Sequence, residues 1–421
     1  MKIFCNSKWG ANYKSLLQLY RGFVRAKLDY GCVVYGSASE SSLKTLDTIH
    51  HQGVRLALGA FKSSPIPSIL SEAGEPPLSI RRQILTCNYL INLQRDPRHI
   101  HYSILENDNL SRVYARKSGF EKPLRYRSKA ILDKANVTIN SLNCYTSPSL
   151  PAPWIVKRPQ VCYDLLKFDK KKDMHQEIRN AFQELIVERF SDSKLVYTDG
   201  SKTDDSIAAA FYSQDFKFST KLNPMLSICN AELSAIWYAV NFILTVFSSI
   251  ALDCTFLICC DSLSALQSLQ DVYSLNPIAA EIRKLLLDSK IQFIWIPSHI
   301  GIAGNEEADR LAREELSSNS PVNGKIPLKD VKNLLKKKVT SSWNFEWTHL
   351  TNNKLRKIKH ENKPWHPPQE WSRRDQVSLS RLRIGHTNFT HVYLMKKENP
   401  PLFSFIIDEN ITLVCSVQFH Y

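Results

Sequence analysis

The sequence predicts an α/β fold: a five-stranded mixed sheet flanked by helices over residues 190–318, preceded by a mainly helical region and followed by a basic helical tail. Three observations carry that expectation. Between Leu195 and Leu316, short apolar runs alternate with amphipathic ones, as in chains wound on one sheet. The first three runs are parted only by turn residues, which predicts a consecutive antiparallel meander. Two later runs, "TFLICCD" and "IQFIWIP", follow long helical stretches, so those strands return by crossovers.

Residues 1–96 are helix-patterned. "YKSLLQLYRGFVRAKLDYG" and "SSLKTLDTIHHQGVRLALGAF" repeat apolar residues at helical spacing, with Arg and Lys opposite. Proline-rich punctuation in "FKSSPIPSIL" and "GEPPL" leads to another helix from "SIRRQILTCNYLINL". Residues 97–189 read as a basic linker, with "KSGFEKPLRYRSKA" and "SPSLPAPWIVKRP" extended, closed by a short helix around "MHQEIRNAFQELIVERF". The sheet region gives strands "LVYTD", "SIAAAFYS" and "FKFSTKL", then the helix "NAELSAIWYAVNFIL". The strand "TFLICCD", the helices "SLSALQSLQ" and "PIAAEIRKLLL", and the strand "IQFIWIP" follow. The loop "SHIGIAGN" opens the last helix, "EEADRLAREEL". Residues 319–421 form a lysine-rich, tryptophan-dotted tail, and no internal repeat is present.

At 43% hydrophobic and 23% charged, the 421 residues are globular rather than disordered in character. The 55 Lys and Arg against 40 Asp and Glu give a net charge of +15, which suits a polyanionic partner or an acidic membrane surface. Arg81–Arg82, Lys336–Lys338 and Arg373–Arg374 are the clusters to test for phosphate contact, against the alternative of a solvated face. Ten cysteines form no CxxC pair, and Cys259 and Cys260 sit inside an apolar strand, as reduced thiols do. No signal-peptide core opens the chain, and no long apolar run reads as a membrane span. The expectation is an intracellular protein of cytoplasm or nucleus, without a membrane partner.

The chemistry lies in four acids. Strands "LVYTD" and "TFLICCD" each end in an aspartate, Asp199 and Asp261. In open α/β sheets ligands gather at the carboxyl edge, where the winding direction switches. Glu232 stands early in "NAELSAIWYAV" on an apolar face with Ala235, Ile236 and Ala239. Asp309 shares a stripe with Ala312 and Leu316. Each acid has a bland account: turn chemistry for Asp199, and dipole stabilisation behind the caps Asn230 and Asn305 for the two helical acids. None of these accounts explains a shared edge. Converging carboxylates repel and raise one another's pKa unless a cation is present. Hard oxygen donors without His or Cys beside them favour Mg²⁺ or Mn²⁺, and paired ions of that kind serve phosphodiester hydrolysis.

"YTDGSK", "NAEL", "CCDSLSAL" and "IPSHIGIAGNEEADRLA", in that order, resemble the signatures of type 1 ribonuclease H. The resemblance implies a five-stranded mixed sheet with its first and fourth strands adjacent. It also implies Mg²⁺-dependent cleavage of the RNA strand of RNA–DNA hybrids. By motif, Asp199 would bridge two ions, Glu232 and Asp261 would complete one site, and Asp309 would help hold the other. His299 would assist proton transfer or product release, although a loop-anchoring histidine reads the same locally. Gly200, Ser201 and Asn230 would meet the hybrid near its 2′-hydroxyls.

The flanks resemble a jockey-like non-LTR retrotransposon. "SKWGANYKSLLQLYRGFVRAKLDYGCVVYGSAS" and "LDTIHHQGVRLALGAFKSSPIPSILSEAGEPPLSIRRQ" look like the thumb-side end of its reverse transcriptase. "RLRIGHTNFTHVYLM" and "NPPL" look like the segment after its ribonuclease H, where a Cys/His knuckle is expected. Phe403 and Ile406 stand where cysteines belong, with Cys415 near the end, so the knuckle is degenerate. The polymerase aspartate pair does not precede the thumb-like segment, and the chain reads as the 3′ portion of such an open reading frame. The leading function is a hybrid-cleaving ribonuclease. The alternative is a catalytically idle nucleic-acid-binding remnant. An integrase-type strand transferase shares the sheet but not the "SHIGIAGNEEA" run before Asp309.

Overall fold

The computed structural model describes residues 1–96, 98–102, 123–134, 137, 143–145, 155–247, 255–287, 289–365, 367–368, 370–387 and 391. The chain divides into two compact units. Asn140–Leu334 form one, and Met1–Ile139 with Leu335–Tyr421 form the other. The degenerate knuckle around Phe403, Ile406 and Cys415 lies outside the described residues, as do the start of "KSGFEKPLRYRSKA" and most of "SPSLPAPWIVKRP".

The sheet unit has strands β1 (Val161–Cys162), β2 (Ser193–Lys202), β3 (Ile207–Tyr212), β4 (Lys217–Leu222), β5 (Thr255–Cys260) and β6 (Ile291–Trp295). Its helices are α1 (His175–Arg189), α2 (Ile228–Val246), α3 (Leu263–Gln270), α4 (Pro277–Leu285) and α5 (Ala303–Leu316), and α6 (Leu328–Thr348) begins in it. The sheet order is β1-β6-β5-β2-β3-β4. β2, β3 and β4 form the antiparallel meander, while β2–β5, β5–β6 and β1–β6 pair in parallel. This is the anticipated ribonuclease H-like mixed sheet with one short edge strand added. Two residues of β1 are too few to show a period in the sequence.

Alternation along the strands builds two cores. Val196, Phe256, Ile258 and Cys260 face Leu233, Ile236, Val240 and Ile243 of α2. On the other face Leu195, Tyr197, Leu257 and Cys259 pack with Ile178 and Phe182 of α1 and with Ile300 and Ile302. α2 is long and apolar enough to cross a membrane by length and composition, contrary to the expectation that no such run exists. Ten of its residues, Glu232 among them, are buried, so it is the central core helix of the unit.

The helical unit packs Tyr13–Leu19, Glu40–Leu58, Ile66–Ala73 and Leu78–Arg95 with Lys354–Ile358 and Arg373–Ile384, around Leu16, Tyr20, Leu58, Ile69, Trp347 and Ile384. Two stretches differ from expectation. Ile66–Ala73 is a helix rather than punctuation, because Pro67 falls in its first turn, where a missing N–H costs nothing. Leu124–Lys134 is likewise helical rather than extended: the Pro123 carbonyl accepts Arg127 N–H at 3.1 Å and starts the helix. Three of the basic residues singled out for phosphate contact are occupied within the protein. Arg81 makes a bidentate pair with Asp29 at 2.6–2.8 Å. Arg82 lies 3.7 Å from Asp47. Arg373 is buried and donates to the Ala57 and Leu56 carbonyls at 2.9 and 3.2 Å. Lys336, Lys337, Lys338 and Arg374 are exposed.

Candidate active site

β2 and β5 run parallel with Tyr197 opposite Cys259 and Thr198 opposite Cys260. The next residue along each chain is Asp199 or Asp261, so one register sets both acids side by side at the carboxyl edge. β5 is reached from β4 by the α2 crossover, which makes the β2–β5 boundary the switch point of the sheet. Glu232 comes from α2 over one face and Asp309 from α5 over the other. Gly200 lets α2 approach, since a Cβ there would lie 2.6 Å from the Glu232 nitrogen. Gly304 does the same for α5, where a Cβ would lie 2.1 Å from the Tyr197 ring.

Asp199, Glu232 and Asp309 are each 7% exposed, and Asp261 is half-buried. Burial, then the charges of Asp261 and Asp309, push the Asp199 carboxyl up to about 7. Burial, reinforced by Asp199 and Asp261, raises Glu232 well above the usual carboxylate range. Asp261 is raised by burial despite a hydrogen bond from the Asn305 amide and the proximity of His299. The Gly200 N–H serves the Asp199 and Glu232 carboxylates. Glu232 Oε2 is buried without a hydrogen-bond partner. Asp309 Oδ2 takes an ion pair from Arg313 and lies 3.7 Å from His299 Nδ1.

Both expected caps have other tasks. α2 starts at Ile228, with Ser227 in the N-cap position but making no side-chain capping bond, so Glu232 lies beyond the first turn and the dipole account loses force. Asn230 is buried, donating to Asp330 Oδ2 at 2.6 Å and accepting from Asn276 Nδ2 at 2.6 Å. Asp330 also accepts the Ser227 N–H at 2.8 Å. α5 starts after Ile302, and Asn305 lies inside it, bonded to Asp261. Ser201 is half-buried beside Gly200 on β2.

The residues present fit hard divalent cations. A ligand atom of each of Glu232, Cys260 and Asp261 lies within 4.8 Å of the others, as do those of His299, Glu306 and Asp309. Cys and His therefore do stand beside the acids, contrary to the reading of the sequence. Burial holds the Cys260 thiol well above its usual range, so it offers no thiolate, and oxygen remains the donor on that side. The orphaned Glu232 Oε2 has the acceptor capacity that a cation would use. Sequence reading missed Arg313 and Asp330, and took Asn305 for a cap. Arg313 was within reach of a helix-face argument, being four residues beyond Asp309.

Residues 191–317 match the RNase H family model. The solved structure of LC11 RNase H1, isolated from compost by a metagenomic approach, is similar at 20% identity, covering 30% of this chain and 96% of that chain with a TM-score of 0.26. No curated protein matches the chain. The carboxylate edge, Asn230, His299 and the two close-approach glycines thus lie in an RNase H family domain at residues 191–317.

Proposed function

We propose that this chain hydrolyses the RNA strand of RNA–DNA hybrids at the Asp199–Glu232–Asp261–Asp309 edge, within a retrotransposon-derived polyprotein. One observation carries the reading: four buried or half-buried acids from four elements meet at the switch point, leaving Glu232 Oε2 unpartnered. Asp199, Glu232, Asp261 and Asp309 would hold divalent cations, Mg²⁺ or Mn²⁺ and two per site. When bound, these supply Lewis-acid charge to the phosphodiester and lower the pKa of the attacking water. The chain itself does the rest. The desolvated edge strengthens every charge interaction with a bound backbone phosphate. Hydrogen bonding from Asn305 favours the charged form of Asp261, and the Gly200 N–H favours that of Asp199 and Glu232. His299, exposed beside Asp309, can take or give a proton as the 3′-oxygen leaves phosphorus and water oxygen replaces it. The net charge of +15 favours a polyanionic substrate.

The deciding experiment incubates the purified chain with a hybrid labelled on its RNA strand, with Mg²⁺ and with chelator. Metal-dependent cleavage of the hybrid, with single-stranded RNA spared, is the expected result. Equal cutting of single-stranded RNA would sink the substrate class. The retrotransposon setting rests on the resemblance of the flanks to a reverse-transcriptase end. Primer extension by this chain above a no-enzyme control would count against reading the flank as the thumb-side end alone.

A further inference from the structure

We propose that Arg179, on helix α1 outside the matched segment 191–317, is a positioning residue that fixes the His299 loop; the inference rests on the hydrolytic reading above. His299 has φ 54°, a left-handed backbone that a residue with a Cβ adopts only when its surroundings hold it there. Part of those surroundings comes from the segment before the matched domain, beside Leu257, Ile294 and Ile296 of the domain itself. Arg179 Nη1 donates to the Ile300 carbonyl at 2.8 Å. Gly301, at φ 85°, leaves room for that guanidinium, because a Cβ there would lie 2.6 Å from Nη1. Lys170 Nζ donates to Ser298 Oγ at 3.2 Å. Ile178 and Phe182 of α1 share a buried cluster with Ile300 and Ile302.

Inside the matched segment the Ile302 carbonyl accepts the Asn305 and Glu306 N–H groups at 3.0 Å, while nearer His299 the Gly301 N–H reaches Glu306 Oε1 at 3.3 Å. A cavity of about 680 Å³, lined by Arg179, Phe182, Lys194, Tyr197, Gly301 and Gly304, lies on this side of the loop. What the clamp protects is the approach of His299 Nδ1 to Asp309 Oδ2, 3.7 Å.

The test uses the full chain with Arg179→Ala, Arg179→Lys, His299→Ala and the double Ala variant. Arg179→Ala is expected to lower kcat on hybrid between about 10- and 100-fold, as a displaced catalytic group does, with KM within about twofold. Arg179→Lys should recover part of the loss, since an ammonium still reaches one carbonyl. The double variant should be no slower than His299→Ala, because Arg179 acts through that histidine. Additive losses, or an unchanged kcat in Arg179→Ala, overturn the proposal. Amide exchange separates this from a general loss of structure. Residues 298–302 should exchange at least about tenfold faster in Arg179→Ala while β2 and β5 keep their protection. Unaltered exchange in the loop overturns the clamp. An unsubstituted chain that cuts no hybrid overturns the hydrolytic reading instead, and the exchange data still decide whether Arg179 holds the loop.

Discussion

Each unit of this protein buries acids, and they treat them in opposite ways. In the helical unit Glu72 is fully buried, with Arg383 at 2.7 Å and Lys359 at 3.7 Å. Glu75 beside it takes Arg21 and Arg25, both at 2.6 Å. Two cations stand against each carboxylate. At the sheet edge four acids share Arg313 and His299, both of which reach Asp309. Asp199 and Glu232 are left to repel each other and Asp261. A buried acid with matched partners is architecture. Buried acids left short of cations mark a place where charge is to arrive from outside.

The largest effect that would sharpen this contrast comes from Asp199→Asn. Shape is kept and charge is lost, so hybrid cleavage should fall by at least about a thousandfold, roughly 4 kcal/mol of transition-state stabilisation. The same substitution relieves repulsion, so the metal-free sheet unit should melt no lower than the unsubstituted one, and Mg²⁺ should stabilise it less. Melting curves with and without Mg²⁺ test this, and a large fall in metal-free stability would break the contrast. Glu72→Gln should behave the other way. It strands Arg383 and Lys359 in a buried setting and should cost the helical unit about 3–5 kcal/mol, read by denaturant unfolding. A loss near zero would mean that these partners are not needed.

Next in size is pH. Asp199 is raised from 3.8 to about 7, so the folded unit keeps a proton that the unfolded chain has already released. Stability from that proton is complete below about pH 4 and is lost progressively as pH rises towards 7, by on the order of a few kcal/mol. Metal-free melting of the sheet unit should therefore fall between pH 5 and pH 8, with Mg²⁺ restoring more at pH 8. Asp199→Asn should flatten the slope, and a slope that survives it would assign the titration to Glu232 or Asp261.

The contrast also explains what the sequence could reveal. Asp199 and Asp261 were legible because each ends an apolar run, a local signal, although Gly200 and Ser201 read as turn residues and instead continue β2 to Lys202, paired with Ala209 and Ala208 of β3. Asn230 and Asn305 look like caps for the same local reason, yet their partners Asp330, Asn276 and Asp261 lie far along the chain or across the edge. Glu72 and Arg383 are separated by 311 positions, and no periodicity links them. Helix Leu124–Lys134 was hidden behind a proline and a basic composition that also describe a linker. Arg81 and Arg373 have the composition of a phosphate-binding surface, while a folded neighbour has claimed each of them.

The smallest prediction separates exposed cations from claimed ones. Lys336 and Lys337 lie exposed on α6, whereas Arg373 is buried against the Ala57 and Leu56 carbonyls. If the exposed pair meets phosphates, reversing both charges should weaken hybrid binding several-fold at moderate salt. The slope of log affinity against log salt should flatten by about 0.7–0.9 for each phosphate that is no longer neutralised. The metal requirement for cleavage should stay as it is, since neither lysine belongs to the carboxylate edge. Arg373→Ala should leave the salt slope alone and instead cost about 1–3 kcal/mol of stability, because two carbonyls lose their donor. A flattened slope from Arg373→Ala with unchanged stability would put that guanidinium on the nucleic acid rather than in the fold. Binding isotherms at three salt concentrations, read beside denaturant unfolding of the same variants, make the distinction.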